Sequence, residues 1–310
     1  MLKAFLLIVV GLAGDPEHAL LFHKWGQTLA EASEKVGVTK DRLVYLSDTV
    51  DEGSRASGKS TKEEIDKALA GFAKASEPED VVYVVLIGHG DYDAQVAKFN
   101  LPGPDITAAE FNTYLKRVPA RNVVFVDTTS SSGPFIEQLS GPGRTIITAT
   151  RNGAEQFTTL FGGYFVEAFS EEAADADKNK RVSMLEAFVY AKAETARAYE
   201  QQGLLAVEHA MLDDNGDKTG SQDPTATGPD GKLAAALSLG SAADAVPLPS
   251  DPKLRQLYLD RRDLERRVEA LRLLKEGMPP AQYTSELEKL VTDLALKTRE
   301  IRSIEGDPKP

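Results

Sequence analysis

The stretch NVVFVDTTSSSGPF, Asn122 to Phe135, decides how the chain is read. Four apolar residues, Val123 to Val126, run into an acid, Asp127, and then into five consecutive hydroxyl side chains, Thr128 to Ser132. Gly133 and Pro134 close the run. A segment apolar on both faces is what a strand needs when helices cover both sides of a parallel sheet. Such a strand carries the residues that follow it to the carboxyl edge of the sheet, where ligands gather in open α/β folds. The sequence therefore asks why a buried strand delivers a cluster of small hydroxyls to that edge.

Outward from this stretch, four further runs have the same character: AFLLIVV (4–10), RLVYLS (42–47), VVYVVLIG (81–88) and RTIITAT (144–150). Amphipathic segments at 17–36, 61–75, 107–117 and 134–140 separate them, and further helices are expected near 159–169 and 183–201. This alternation predicts a mainly parallel sheet joined by right-handed crossovers and covered on both faces. The opening MLKAFLLIVVGLAGDPEH has the lysine, apolar run and small residues of a secretory signal. Its strand length, and the helix signal from Pro16, favour a first buried strand instead. The run is too short to span a bilayer and no other segment approaches that length, so no membrane insertion is expected.

Acids outnumber bases by 48 to 36, a formal charge of −12. That balance argues against nucleic acid or an anionic membrane as the main partner, because phosphate binding needs clustered Lys and Arg. The chain has no cysteine, which excludes disulfides, thiolate metal sites and a cysteine nucleophile.

A second strand end carries chemistry. The third apolar run finishes as VVLIGHGDYD, which sets His89 between two glycines just past a buried strand. Glycines on either side let the backbone turn sharply and leave the imidazole unshielded. If the two runs are neighbours, His89 and the hydroxyl cluster share one rim. This order, an apolar strand ending in His-Gly and a second ending in a nucleophile followed by x-Ser-Gly, resembles the caspase and legumain superfamily of cysteine peptidases (clan CD, of the C13 and C14 types). The resemblance spans roughly residues 3–220, and within it the chain resembles bacterial proteins of this fold with the same serine-rich replacement. It implies a caspase-like αβα sandwich with a mainly parallel central sheet. It places His89 at the catalytic histidine and Ser130, of Ser130-Ser131-Ser132-Gly133, at the nucleophile position. GRTIITATRNGAEQ then matches the next core strand and a substrate-pocket loop, with Arg151 and Glu155 as pocket residues and Asp127 beside them.

The nucleophile position, however, holds a hydroxyl. A cysteine beside a histidine is partly thiolate near neutral pH, whereas a serine needs an aligned base, itself oriented by a third group. In this superfamily the histidine mainly serves the leaving group. The expected function is thus a catalytically impaired pseudopeptidase that binds a peptide or protein ligand or acts as a scaffold. An active hydrolase using a Ser130–His89 dyad is the alternative, and an engineered Cys-to-Ser change would give the same sequence.

DADKNKRVSMLE, 175–186, is a separate constellation. Asp175, Asp177, Asn179, Arg181, Ser183 and Glu186 occupy the ligand positions of an EF-hand-type calcium loop, with Glu186 at the closing twelfth place. Lys180 replaces the usual sixth-position glycine, and Lys178, Lys180 and Arg181 offset the acids. The same residues also read without metal, since Ser183 and Glu186 form a capping box that opens a helix. Calcium is the one cofactor the sequence suggests. LDDNGDKTG (212–220) has alternate acids but no closing glutamate and reads as an Asx-rich turn. His209 before it, and His18 and His23 on the first helix, read as packing or surface residues.

The caspase/legumain-like domain is expected over 1–240, a Pro-rich linker over 241–252 and a helical hairpin over 253–306. Leu254, Leu257, Leu264, Val268 and Leu271 form one apolar stripe, and Leu287, Leu290, Leu294, Ile301 and Ile304 another. GMPP (277–280) parts them. Two narrow stripes pack on each other, or serve a homo-oligomer or partner contact. A periplasmic or secreted location is favoured over a cytoplasmic one, and would suit a calcium loop.

Overall fold

A computed structural model of the chain describes residues 3–50, 54–239, 251–273 and 279–305. The chain divides into two compact units, Lys3–Leu239 and a second containing the C-terminal helices. The linker expected over 241–252 lies outside the described residues as far as residue 250, as do Gly277 and Met278 of the expected hairpin break.

The first unit is built on a seven-stranded sheet. Its strands in chain order are β1 (Ala4–Val10), β2 (Leu43–Ser47), β3 (Gly58–Lys59), β4 (Val81–Ile87), β8 (Asn122–Asp127), β9 (Arg144–Thr148) and β10 (Met211–Asp213). The spatial order is β10-β9-β8-β4-β1-β2-β3, parallel throughout except that β10 runs antiparallel to β9. The five apolar runs are thus β1, β2, β4, β8 and β9, and every residue of β1, β4 and β8 is buried.

Alternation along these strands sorts residues between two helical layers. Phe5, Leu7 and Val9 of β1, Val82, Val84 and Leu86 of β4, and Val123 and Phe125 of β8 join one core. It is completed by α2 (Lys62–Ala75), α3 (Ala108–Leu115) and α4 (Phe135–Leu139), through Ile65, Leu69, Phe111 and Phe135. The intervening residues, such as Leu6, Ile8, Val85 and Val126, are buried on the opposite face. The helices that pack with one another on that side are α1 (Pro16–Lys35), α5 (Phe161–Ala168) and α6 (Met184–Gln201). Phe161 lies against both Phe165 and Phe188 there. The architecture is therefore αβα with a mainly parallel central sheet.

Several short elements were not anticipated, β3 among them. The irregular-looking stretch after residue 210 begins with β10, too short to show a period. A small antiparallel sheet also projects beyond β4, formed by β5 (Gly90–Tyr92), β6 (Ala97–Phe99) and β7 (Ile106–Thr107). A final short helix, α7 (Lys232–Ala236), ends the first unit. The second unit holds α8 (Pro252–Leu273) and α9 (Pro280–Glu305). Leu264, Val268 and Leu271 pack on Leu290, with Tyr283, Leu287 and Leu294 half-buried beside them. Lys297 on α9 pairs with Asp260 on α8 at 3.2 Å. The two stripes thus pack on each other, while Ile304 is exposed.

The carboxyl ends of β1 and β4 are locked by backbone bonds. Gly11 N–H donates to Ile87 O at 2.8 Å, Leu12 N–H to Asn100 O at 2.9 Å, and Asn100 N–H to His89 O at 3.0 Å. Gly11 leaves no room for a side chain, because a Cβ there would sit 2.4 Å from Asn100 O. Gly11→Ala is expected to cost about 2–3 kcal/mol through overpacking, read as a lower chemical-denaturation midpoint. It should also shift the His89 imidazole NMR signals, because the displaced backbone holds His89.

Candidate functional site

Parallel pairing of β4 and β8 sets Leu86 beside Asp127. Three residues further along each strand, His89 and Ser130 come to neighbouring positions on the same rim. The five hydroxyls then divide their partners among three strand ends. Thr128 Oγ1 donates to Leu86 O at 2.7 Å, and Thr129 Oγ1 to Asp127 Oδ1 at 2.7 Å. Ser130 Oγ donates to Gly90 O at 2.9 Å while Gly90 N–H donates back to Ser130 Oγ at 3.3 Å. Ser131 Oγ donates to Gly153 O at 3.1 Å, and Ser132 Oγ lies 3.1 Å from Thr150 Oγ1. All five residues are buried, Ser130 being 4% exposed. The hydroxyl run is a brace joining the ends of β4, β8 and β9.

The turn itself is strained and tight. Ser131 adopts a left-handed φ of 56°, which costs a non-glycine residue roughly 1–2 kcal/mol. Its N–H donates to Glu155 O at 2.8 Å, which anchors the turn to the following loop. Gly133 must be glycine, since a Cβ would lie 2.3 Å from the Arg151 carbonyl carbon.

His89 is half-buried and its Nε2 lies 3.1 Å from Ala13 O. A carbonyl only accepts, so Nε2 carries the proton and Nδ1 is the basic nitrogen. The ring meets His18 edge-on at 4.9 Å and Phe22 at 5.1 Å between centroids. Burial, and secondarily the charge of His18, holds the His89 pKa below its ordinary value. Among the hydrogen bonds of the described residues, none joins His89 to Ser130.

Asp127 is wholly buried beneath the turn. Oδ1 accepts from Thr129 N–H at 3.0 Å and from its hydroxyl, while Oδ2 has no partner. Burial pushes its pKa up to about 7 against the lowering effect of the Thr129 bonds. Arg151 and Glu155 lie on the loop after β9. Glu155 Oε2 accepts from the N–H groups of Arg151 and His209, both at 3.0 Å. Its Oε1 lies 2.7 Å from His209 Nδ1 and 3.5 Å from Arg151 Nη2. Glu155 is thus engaged by protein donors, while half of the Arg151 side chain is open to solvent.

The 175–186 loop is built elsewhere, at the start of α6. Carboxylate oxygens of Asp175, Asp177 and Glu186 lie within 4.8 Å of one another. Lys180 adopts the left-handed turn expected at the sixth position, with φ 67°. Asn179 N–H donates to Asp175 and Asp177, and the Ser183–Glu186 capping box is formed. Glu186 Oε1 also accepts from Ala176 and Asp177 N–H, at 3.0 and 3.3 Å. In the 213–217 turn, Asp213 accepts from Gly216 N–H, and Asp217 exchanges bonds with Asn215, as an Asx-rich turn requires.

Residues read as mere packing gather at the rim. Asp15 caps α1 by accepting from Glu17 and His18 N–H, and also holds His18 Nδ1. That cap aims His18 at His89. Its signal in the sequence was Asp15-Pro16 after the turn that follows the first strand, the usual opening of a helix. His209 was a lone histidine whose partner, Glu155, is 54 residues away, and no local spacing links them.

The Peptidase C13 family model matches residues 59–214, just over half of the 310-residue chain. No curated protein matches the sequence. Among solved structures, the chain is similar to the Drosophila initiator caspase Dronc. The identity is 14% and the TM-score 0.45, over 70% of this chain and 81% of that one.

Asp127 supplies a pH test of this geometry. Its carboxyl keeps a proton in the folded state up to about pH 7, whereas an unfolded Asp releases it near pH 4. Between those values the folded state binds more protons, so stability falls as pH rises. Asp127→Asn keeps the acceptor for Thr129 and abolishes the ionisation. It is expected to gain about 1 kcal/mol or more over the parent at pH 8, shrinking to nothing near pH 4. Urea titrations at the two pH values read this directly.

Proposed function

Because the chain belongs to the Peptidase C13 family, we propose that it is a catalytically impaired member that binds a peptide or protein in the old substrate cleft. The observation that carries this reading is the reciprocal bond between Ser130 Oγ and the Gly90 backbone. A serine nucleophile needs its proton taken by an aligned base. Here that proton points at a carbonyl, and the protonated Nε2 of His89 points at Ala13 O. The Gly90 N–H, placed to stabilise an oxyanion beside the nucleophile, is occupied by the hydroxyl itself.

A fluorophosphonate probe tests the reading. The parent protein is expected to stay unlabelled, while Ser130→Cys should be alkylated by iodoacetamide at an elevated rate and cleave members of a peptide library. Labelling of the parent that vanishes in Ser130→Ala would establish the Ser130–His89 hydrolase instead.

We further propose that a calcium ion, where this chain binds one, sits in the 175–186 loop and stiffens the fold without joining chemistry at His89. The convergence of Asp175, Asp177 and Glu186 supports this, and hard carboxylate oxygens suit such a cation. Binding to the folded state alone stabilises it by about 2.7 kcal/mol at a hundredfold excess over the dissociation constant. Millimolar calcium should raise the Tm of the parent relative to chelator, and Glu186→Gln should remove most of that increment. The increment is the quantity to compare, because Glu186→Gln also weakens the capping box. No increment in the parent would leave the capping box as the loop's whole purpose.

A further inference from the structure

A cavity of about 110 Å³ opens beside the candidate site, between α6 and the segment leading to β10. Its walls are mostly apolar: Ala149, Phe161, Ala196, Ala206 and Ala210. Five polar residues interrupt them: Glu208, Thr195, His209, Lys192 and Gln222. Glu208 is 5% exposed, and its carboxylate caps α5 by accepting from Leu160 N–H at 2.7 Å and Phe161 N–H at 3.1 Å. Tyr199 OH donates to the same carboxylate at 3.0 Å, and no cation pairs with it among the described residues. Thr195 is 6% exposed, and its hydroxyl is buried without a partner. His209 also lines the space, with Nδ1 held by Glu155. When Nδ1 donates to that carboxylate, Nε2 of the neutral ring is an acceptor.

A buried carboxylate without a counter-charge is costly, and so is an unpaired buried hydroxyl. Burial already drives the Glu208 pKa upward despite its three hydrogen bonds. The one ammonium on the wall, Lys192, is turned to Gln222 O and the Asp223 carboxylate, and so does not neutralise Glu208. We infer that this cavity is a binding site for a small primary ammonium compound, with Glu208 as counter-ion, Thr195 as hydrogen-bond partner and the alanine and Phe161 walls receiving a short alkyl chain. Oε1 of Glu208 already accepts two donors and Oε2 one, so an acceptor position remains on Oε2. The volume admits only a few heavy atoms, far fewer than a drug-sized pocket. A carboxylate ligand is excluded by repulsion from Glu208. The site needs neither His89 nor Ser130, so it stands apart from the reading of the cleft.

The test uses the full chain and n-butylammonium, with 1-pentanol as the neutral analogue and butyrate as the anionic one, followed by ligand-observed NMR. Butylammonium is expected to bind, 1-pentanol about tenfold or more weakly, and butyrate not at all. Glu208→Gln should lose about tenfold in butylammonium affinity. That variant also loosens the α5 cap, so a second one is needed. Ala196→Leu, at an exposed helical position on the cavity wall, keeps Glu208 and narrows the space, and should abolish binding while the protein stays folded. No butylammonium binding, equal binding of 1-pentanol, or unchanged affinity in folded Ala196→Leu each overturns the inference.

Discussion

The reciprocal hydrogen bond between Ser130 Oγ and the Gly90 backbone is the contact on which the rim is organised. Gly90 opens β5, and β5 pairs with β6 on its other side. The serine hydroxyl therefore plays the part of a neighbouring strand, giving the edge of the small sheet one donor and one acceptor. Remove it, and two backbone groups in a largely dry site lose their partners, a larger cost than the net worth of an ordinary hydrogen bond. Gly90 itself admits no side chain, as a Cβ would lie 2.6 Å from both Ser130 O and Thr129 Oγ1. Glycine beside the histidine and hydroxyls on the facing turn are thus one constraint seen from two strands.

The same constraint explains why the hydroxyls come as a run. A turn that leaves β8, passes through a left-handed residue at Ser131 and dives under the loop after β9 makes few backbone ladder bonds of its own. Buried backbone groups must be paired somewhere. Short side chains that both donate and accept can reach Leu86 O, Gly90 O and Gly153 O without adding volume. Gly133 then lets the chain pass close to the Arg151 backbone. Only the position that would carry a nucleophile makes the brace and the chemistry compete for one atom.

Much of the architecture was legible because β1, β4 and β8 are apolar on both faces, which few helices of that length are. Val123 and Phe125 face the α2–α4 core, so Asp127, two residues on, continues towards the same buried side. What sequence could not supply was pairing at a distance. Glu155 with His209, and His18 with the His89 ring, join residues whose closeness follows only from sheet order. β3, β7 and β10 were invisible because two or three residues carry no period. The 175–186 loop was legible as a pattern, yet the pattern for a cation and the pattern for a cap share Ser183 and Glu186, so no reading of residues alone could separate them.

On the proposed reading, the identity of the atom at position 130 decides what the rim can do. Oxygen at hydrogen-bond distance from both Gly90 groups is a good donor and a good acceptor, so its resting state is the braced one. Sulfur is a weak donor and a weak acceptor, and its thiol ionises near neutral pH. A thiolate has no proton to give Gly90 O, so repulsion would turn it towards the Gly90 N–H and the imidazole. A hydroxyl gains nothing comparable by leaving, because its own ionisation is far out of reach. The hydrogen-bond balance therefore favours a Ser130 side chain braced against the Gly90 backbone. Under the proposed reading, that brace is the ordered floor of a binding cleft.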